Sequence, residues 1–283
     1  MPQPHSPTIR ARKVGSELRR LREQAGLTTD QAADQLGQDW SRFRVTRIEK
    51  AKTKPPITAI TAMLDLYGVD SGTRAALIEL AKNAWRRGWW TDYSDVFRGS
   101  YVEFEDEAAR IDEWSPQVLP GLLQTDEYAR EVIRAGWRGD EAGVQRRVMA
   151  RMTRKALLGR TDPAAPELNA ILDEGALRRP IGGRDVMRAQ LHALLDAMRR
   201  PNVTVRVLPF AVGTHAGLDG PFIILGFPEA IAPDVGYVGT RIGDGYAEST
   251  EVVRSLRVDF DHLQAAALSP EGSAEFIVAM TKE

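Results

Sequence analysis

Five side chains between residues 41 and 49 (SRFRVTRIE) have the chemistry to read a base edge: Arg42, Phe43, Arg44, Thr46 and Arg47. Val45 and Ile48 are the apolar positions of that stretch. On a helix they face one way and leave the other five to share the exposed side. A short helix presenting arginine and threonine suits the major groove of a DNA duplex. Arginine can donate two bonds to guanine, and threonine or phenylalanine can touch a thymine methyl. Thr28 and Gln31 ahead of this stretch, and Lys50, Lys52 and Lys54 behind it in KAKTKPP, are expected at phosphates, which fix register without reading sequence.

Such side chains need a scaffold. Val14, Leu18, Leu21 and Ala25 recur at spacings of four, three and four, the pattern of one helix face. Gly26 ends that helix, and Thr28 or Thr29 can cap the next, whose buried side is Ala32, Ala33 and Leu36. Gly37 suits the turn into the arginine-bearing helix, so residues 28–49 read as a helix-turn-helix. Pro55 and Pro56 stop any helix there, and Pro56 suits the first turn of the next. Ile57, Ile60, Met63, Leu64 and Tyr67 extend the core. TRAALIELAKNAW gives a fifth helix, with Leu77, Leu80, Ala81 and Ala84 in one stripe. An all-α domain over residues 14–85 is expected, behind a flexible basic arm at 1–13 that lacks the apolar core of a secretory signal.

Charge separates this head from the rest. Residues 1–60 hold 12 Lys and Arg against 6 Asp and Glu, while the other 223 residues hold 26 against 33. The net charge of -1 thus hides a basic head, the local field that phosphate binding requires. With 283 residues, two domains are expected. No run approaches the roughly 18 apolar residues of a membrane helix. The absence of cysteine excludes disulfides and thiolate metal sites and fits a cytoplasmic, nucleoid-associated protein.

RRGWWTDYSDVF at 86–97 reads as a junction. Trp89, Trp90 and Tyr93 crowd a segment that cannot bury them itself. They either pack under the second domain or form a dimer contact or ligand cleft. The body, 98–283, mixes strand (ARIDEW, ELNAILDE, NVTVRVLPF, PFIILGF, PDVGYVGT) with helix (TDEYAREVIRAG, GVQRRVMARMTRKALLG, RDVMRAQLHALLDAMRR, VVRSLRVDFDHLQAAAL, and a last helix after Ser269-Pro270). A larger mixed α/β (α+β) domain for regulation, partner binding or dimerisation follows. His215 and Asp219, in a loop rich in glycine, are the best polar pair of the body and candidates for a ligand or partner. Glu103, Glu105, Asp106 and Glu107 read as a solvated acidic face, although Glu103 and Glu107 at helical spacing could attract a metal. The helix with Arg146, Arg147, Arg151, Arg154 and Lys155 reads as an amphipathic surface helix, or as an extension of the DNA footprint. HExxH, GxSxG and GxxxxGK[ST] are all absent, so no catalytic residue, cofactor or metal is expected.

ELRRLREQAGLTTDQAADQLG followed by VTRIEKAKTKPP resembles the xenobiotic-response-element (XRE) family of helix-turn-helix regulators. RRGWWTDYSDV, VLPGLLQTDEYAREVIRA, DEGALRRPIGG, PNVTVRVLPF and HAGLDGPF, in that order, resemble an actinobacterial branch, the WhiJ-like or antitoxin-like regulators, with a C-terminal domain of unknown function. The resemblance implies a transcriptional regulator that binds a double-stranded DNA operator, often encoded beside a small partner protein. Gln38 and Asp39 depart from the usual pattern by lengthening the turn, which shifts the side chains that reach the groove. One recognition helix makes few base contacts, so a homodimer on half-sites is expected. An antitoxin-like protein that binds a small cognate partner and autoregulates its operon is the alternative. An enzyme fused to a DNA-binding head ranks behind both.

Overall fold

The structure, a computed structural model, describes residues 8–85, 88–97, 101–228, 233–240 and 243–282. The chain divides between Asp92 and Tyr93 into two units. In the first, α1 (Ile9–Gln24) starts behind Thr8, whose Oγ1 accepts from Ala11 N at 3.1 Å and donates to Ala84 O. The basic arm expected over 1–13 is therefore shorter. Ile9 and Ala11 are buried, and the helix that buries them begins at Ile9. The rest of that arm, 1–7, lies outside the described residues, as do Arg86 and Arg87 of the expected junction.

Four more helices follow: α2 (Thr29–Leu36), α3 (Arg42–Glu49), α4 (Ile57–Leu66) and α5 (Ser71–Asn83). Val14, Leu18, Leu21, Ala32, Ala33, Val45, Ile48, Ile60, Met63, Leu64 and Leu77 meet in one core. Burial of a large aliphatic side chain stabilises by roughly 1.5–3 kcal/mol, so this core carries the unit. Ala25 does not join it. The helix has ended there, and the exposed Ala25 only bonds its N–H back to Leu21 O. Pro56 stands one residue ahead of the first turn of α4, as its N-cap.

The second unit is built on a six-stranded sheet whose strands lie side by side in the order Val203–Leu208, Glu167–Asp173, Arg110–Ser115, Phe222–Gly226, Val235–Thr240 and Gly243–Ala247. In chain order its elements begin with α6 (Tyr101–Glu107), β1 (Arg110–Ser115), α7 (Asp126–Gly136), α8 (Glu141–Lys155), β2 (Glu167–Asp173) and α9 (Glu174–Arg178). They continue with α10 (Arg184–Ala197), β3 (Val203–Leu208), β4 (Phe222–Gly226), β5 (Val235–Thr240), β6 (Gly243–Ala247), α11 (Thr250–Ala266) and α12 (Pro270–Met280). β1, β2 and β3 run parallel, joined by helical crossovers, while β4, β5 and β6 are antiparallel additions. The architecture is an all-α helical unit followed by an α+β unit.

Central strand β1 packs Trp114 against Ile171, Leu208, Phe222 and Ile224, and α11 closes that face with Val253, Phe260 and Leu263. The edge strand β3 is covered. Val207 N donates to Ser273 Oγ at 2.9 Å, and Leu268 N donates to Val207 O at 2.9 Å. Such covering removes a row of open backbone groups from the sheet edge.

Two expectations change here. The acidic run lies on α6, and Glu103 and Glu105 are buried rather than solvated. Glu105 accepts from Tyr101 Oη at 2.8 Å, and its Oε2 lies 2.7 Å from Arg154 Nε. Likewise α8 is no simple surface helix. Val144, Val148 and Ala150 are buried, and Arg147, Arg151 and Arg154 are partly buried. A charged side chain faces inward only where a partner or a cavity receives it.

Candidate nucleic-acid interface

The first unit presents α3 through three local devices. Thr28 and Gln31 form a reciprocal cap: Gln31 N donates to Thr28 Oγ1 at 3.2 Å, and Thr28 N donates to Gln31 Oε1 at 2.9 Å. Both phosphate candidates thus sit at the N-terminus of α2, where backbone N–H groups and the helix dipole favour an anion. Ser41 starts α3, its Oγ accepting from Arg44 N at 3.2 Å. At the far end Ala51 takes φ 51°, and Lys52 N donates to Arg47 O at 2.8 Å, a Schellman closure.

The helix is locked from behind. Arg22 on α1 gives Glu49 two bonds, Nε to Oε1 at 2.6 Å and Nη2 to Oε2 at 3.0 Å, and donates through Nη1 to Leu27 O at 2.7 Å. Their side chains are 8% and 4% exposed, so the pair is out of water. Its hydrogen bonds to Glu49 hold the Arg22 guanidinium above its ordinary value, against the opposing effect of burial. Gly15 permits the close approach, because a Cβ there would stand 2.4 Å from Glu49 O.

Of the residues expected at bases, Arg42, Phe43 and Arg47 are exposed, and Arg44 and Thr46 are half-buried. Val45, Ile48 and Glu49 are buried, which leaves Phe43, Arg47 and Lys50, at steps of four and three, along the opposite side. Phe43 is 67% exposed, unusual for so large an apolar ring, and the Arg42 guanidinium lies 4.8 Å over its centre. Thr46 is half-buried at the flank. Lys50, Lys52 and Lys54 are all exposed.

Arg44 behaves differently. Its Nη1 donates to Asp39 O at 2.7 Å, and its guanidinium stacks 4.4 Å over Trp40. The turn through Gln38 and Asp39 is thus tied to α3 by one of the arginines expected at bases. Neither contact has a signature in local periodicity: the Arg22–Glu49 lock joins residues that only the tertiary fold brings together, and the Arg44 tie depends on the conformation of the turn just ahead of α3.

The remaining candidates are scattered. Trp89 and Trp90 meet edge to face with centroids 6.2 Å apart. Tyr93, in the second unit, bonds Thr153 Oγ1 at 3.2 Å and carries the Arg146 guanidinium 4.6 Å over its ring. His215 packs its ring on the edge of Trp114 at 5.4 Å, and its Nδ1 accepts from Gly217 N at 3.1 Å. Asp219 is exposed, and no hydrogen bond joins it to His215. This pair is not assembled as an acid-base dyad; His215 shapes its own loop.

Among the described residues, no helix is long and apolar enough to cross a membrane. No curated protein and no solved structure matches the chain. Residues 13–77 match the family described as Helix-turn-helix domain, which covers α1 to α5 as far as Leu77. Residues 98–279 match the family described as Domain of unknown function (DUF5753), nearly the whole of the sheet-bearing unit. The chain therefore belongs to the DUF5753 family and carries a helix-turn-helix domain ahead of that family's domain.

Proposed function

We propose that the protein is a sequence-specific DNA-binding transcriptional regulator of the XRE type, acting in the cytoplasm on nucleoid DNA, whose C-terminal domain receives a ligand or a partner protein. The observation that carries this reading is the outward side of α3, where Phe43, Arg47 and Lys50 share one stripe with Arg42 beside them. Arg42, Phe43, Thr46 and Arg47 reach the base edges. Thr28, Gln31, Lys50, Lys52 and Lys54 flank them at the phosphates. Arg44 serves the same surface by holding the turn that delivers α3, and it joins the base contacts if the duplex displaces Asp39 O.

An eight-residue α3 spans few base pairs. Two copies related by a twofold axis would read half-sites about 10 bp apart, so the active species is a homodimer. Selection from a random duplex library tests both statements together. Enrichment of a sequence repeated on a twofold axis is the expected result. Recovery of unrelated sequences would refute base reading, and a single unrepeated site bound by a monomer in sedimentation would refute the dimer.

A further inference from the structure

We propose that the DUF5753 unit binds a small organic anion, a carboxylate or phosphate carried on a flat ring, in the cavity beside α8. This deepens the reading of that unit as a receiver and rests on it for its regulatory consequence. The binding itself stands on the cavity.

That cavity has a volume of about 640 Å³, within the range of about 300–1,000 Å³ usual for small-molecule sites. Its described lining includes the aromatic side chains of Phe97, Tyr101, Trp137 and Tyr237. Among them α8 contributes Arg147, Arg151 and Arg154, at steps of four and three along one helix face. The lining includes one carboxylate, Asp244, which accepts a bond from Tyr237 Oη at 2.9 Å.

The three arginines are not equivalent. Arg154, 13% exposed, faces Glu105 Oε2 at 2.7 Å, and a Cβ on Gly121 would fall 2.6 Å from its Nη2, so glycine makes room for it. Arg147 lies flat on Trp137, 3.3 Å from the ring centre. Arg151 donates to the neutral Gln124 Oε1 at 2.8 Å, and among the described residues no carboxylate comes within ion-pair distance of it. Lys155, bonded to Gln124 O at 3.0 Å, adds another cation nearby. Burial, and then repulsion from Arg154, push the Arg151 guanidinium down to about 10. The carboxylates of Glu105 and Glu113 partly offset this from a distance; burial pushes the Glu113 carboxyl up to about 7, so near neutrality it is about half charged.

A partly buried cation without a direct ion-pair partner is unfavourable, and an apolar side chain of the same length would fill the space without that penalty. A ligand anion supplies that partner, because the planar guanidinium fork donates two parallel bonds to a carboxylate or phosphate. A flat ring attached to that head finds the rings of Trp137, Tyr101 and Tyr237 beside it.

Calorimetric titration of the full chain, without DNA, tests this with benzoate, phenyl phosphate and the neutral benzyl alcohol. At least one anion should bind about tenfold or more tightly than the alcohol, and the stronger anion identifies the head group. Arg151→Met should weaken that anion by about tenfold to a hundredfold while the ligand-free melting temperature holds or rises. If Arg151→Met does not fold, Arg147→Met at the more open end of the stripe should still weaken the anion. Anions that bind no better than the alcohol would overturn the proposal. So would an Arg151→Met chain that melts lower yet binds the anion unchanged, because Arg151 would then serve only the fold. An Arg151-dependent anion that leaves DNA affinity unaltered would support the pocket and refute the receiver reading.

Discussion

Replacing Glu49 by glutamine should weaken the DNA-reading unit far more than any surface change. Glu49 receives two bonds from Arg22, at 2.6 and 3.0 Å, in a place where the side chains are 4% and 8% exposed. Glutamine keeps the shape but offers one acceptor and no charge, and it strands a guanidinium already out of water. Breaking a buried pair from one side costs about 3–5 kcal/mol, against about 5–15 kcal/mol for a whole domain. For a unit of this size each kcal/mol moves the melting midpoint by about 4–8 °C, so a fall of more than about 10 °C is expected. Hydrogen exchange at the amides of α1 and α3, measured in the full chain, reports this unit by itself. A loss below about 1 kcal/mol would refute the reasoning. Arg22→Met with Glu49→Leu should recover most of the loss, since two apolar side chains leave no stranded charge. A double variant as weak as Glu49→Gln would show that shape, not charge, was at stake.

Three other perturbations separate the roles assigned above. Gly15→Ala forces a Cβ against Glu49 O and must push α1 from α3; melting should show a loss of about 1–3 kcal/mol, and unchanged stability would mean the contact is loose. Arg47→Ala should cost about 1–3 kcal/mol on the preferred duplex and little on random DNA, whereas Lys52→Ala should weaken both alike and flatten the salt slope; equal losses from the two variants would merge their roles. The Glu113 carboxyl is raised by burial to about 7, from about 4.3 when unfolded, so its contribution is complete below the lower value and lost as pH climbs through the upper one. Wild type should therefore lose stability relative to Glu113→Gln across that window, and a difference that stays flat with pH would contradict the assignment.

The helices that carry the interface were legible because each is short, capped and periodic. Val14, Leu18, Leu21, Val45 and Ile48 announce their faces by spacing alone, and all five are buried. The strands β1 to β5 were legible for the same reason, from β-branched and aromatic runs between turns. Strand β6 was not: GDGYA has no alternation of apolar residues, and it exists because β5 offers it a ladder. Helix α6 was hidden by its charges. YVEFEDE looks solvated until Arg154 is known to lie against Glu105. The same pairing explains α8, whose arginines read as a surface stripe although they point into a cavity. Charge by itself does not say which way a side chain faces; partners distant in sequence decide it. Arg44 is the local case: its ties to Asp39 O and Trp40 depend on the turn just ahead of α3.

The central claim is that α3 reads base sequence, and fluorescence-anisotropy titration tests it most directly. Purified protein is titrated against the DNA upstream of its own coding sequence and against a scrambled duplex, at several salt concentrations. The account predicts a preference of about a thousandfold or more for the native duplex, reduced at least tenfold by Arg47→Ala. Equal binding to both duplexes, falling steeply with salt and indifferent to Arg47→Ala, would contradict it and leave only a basic surface.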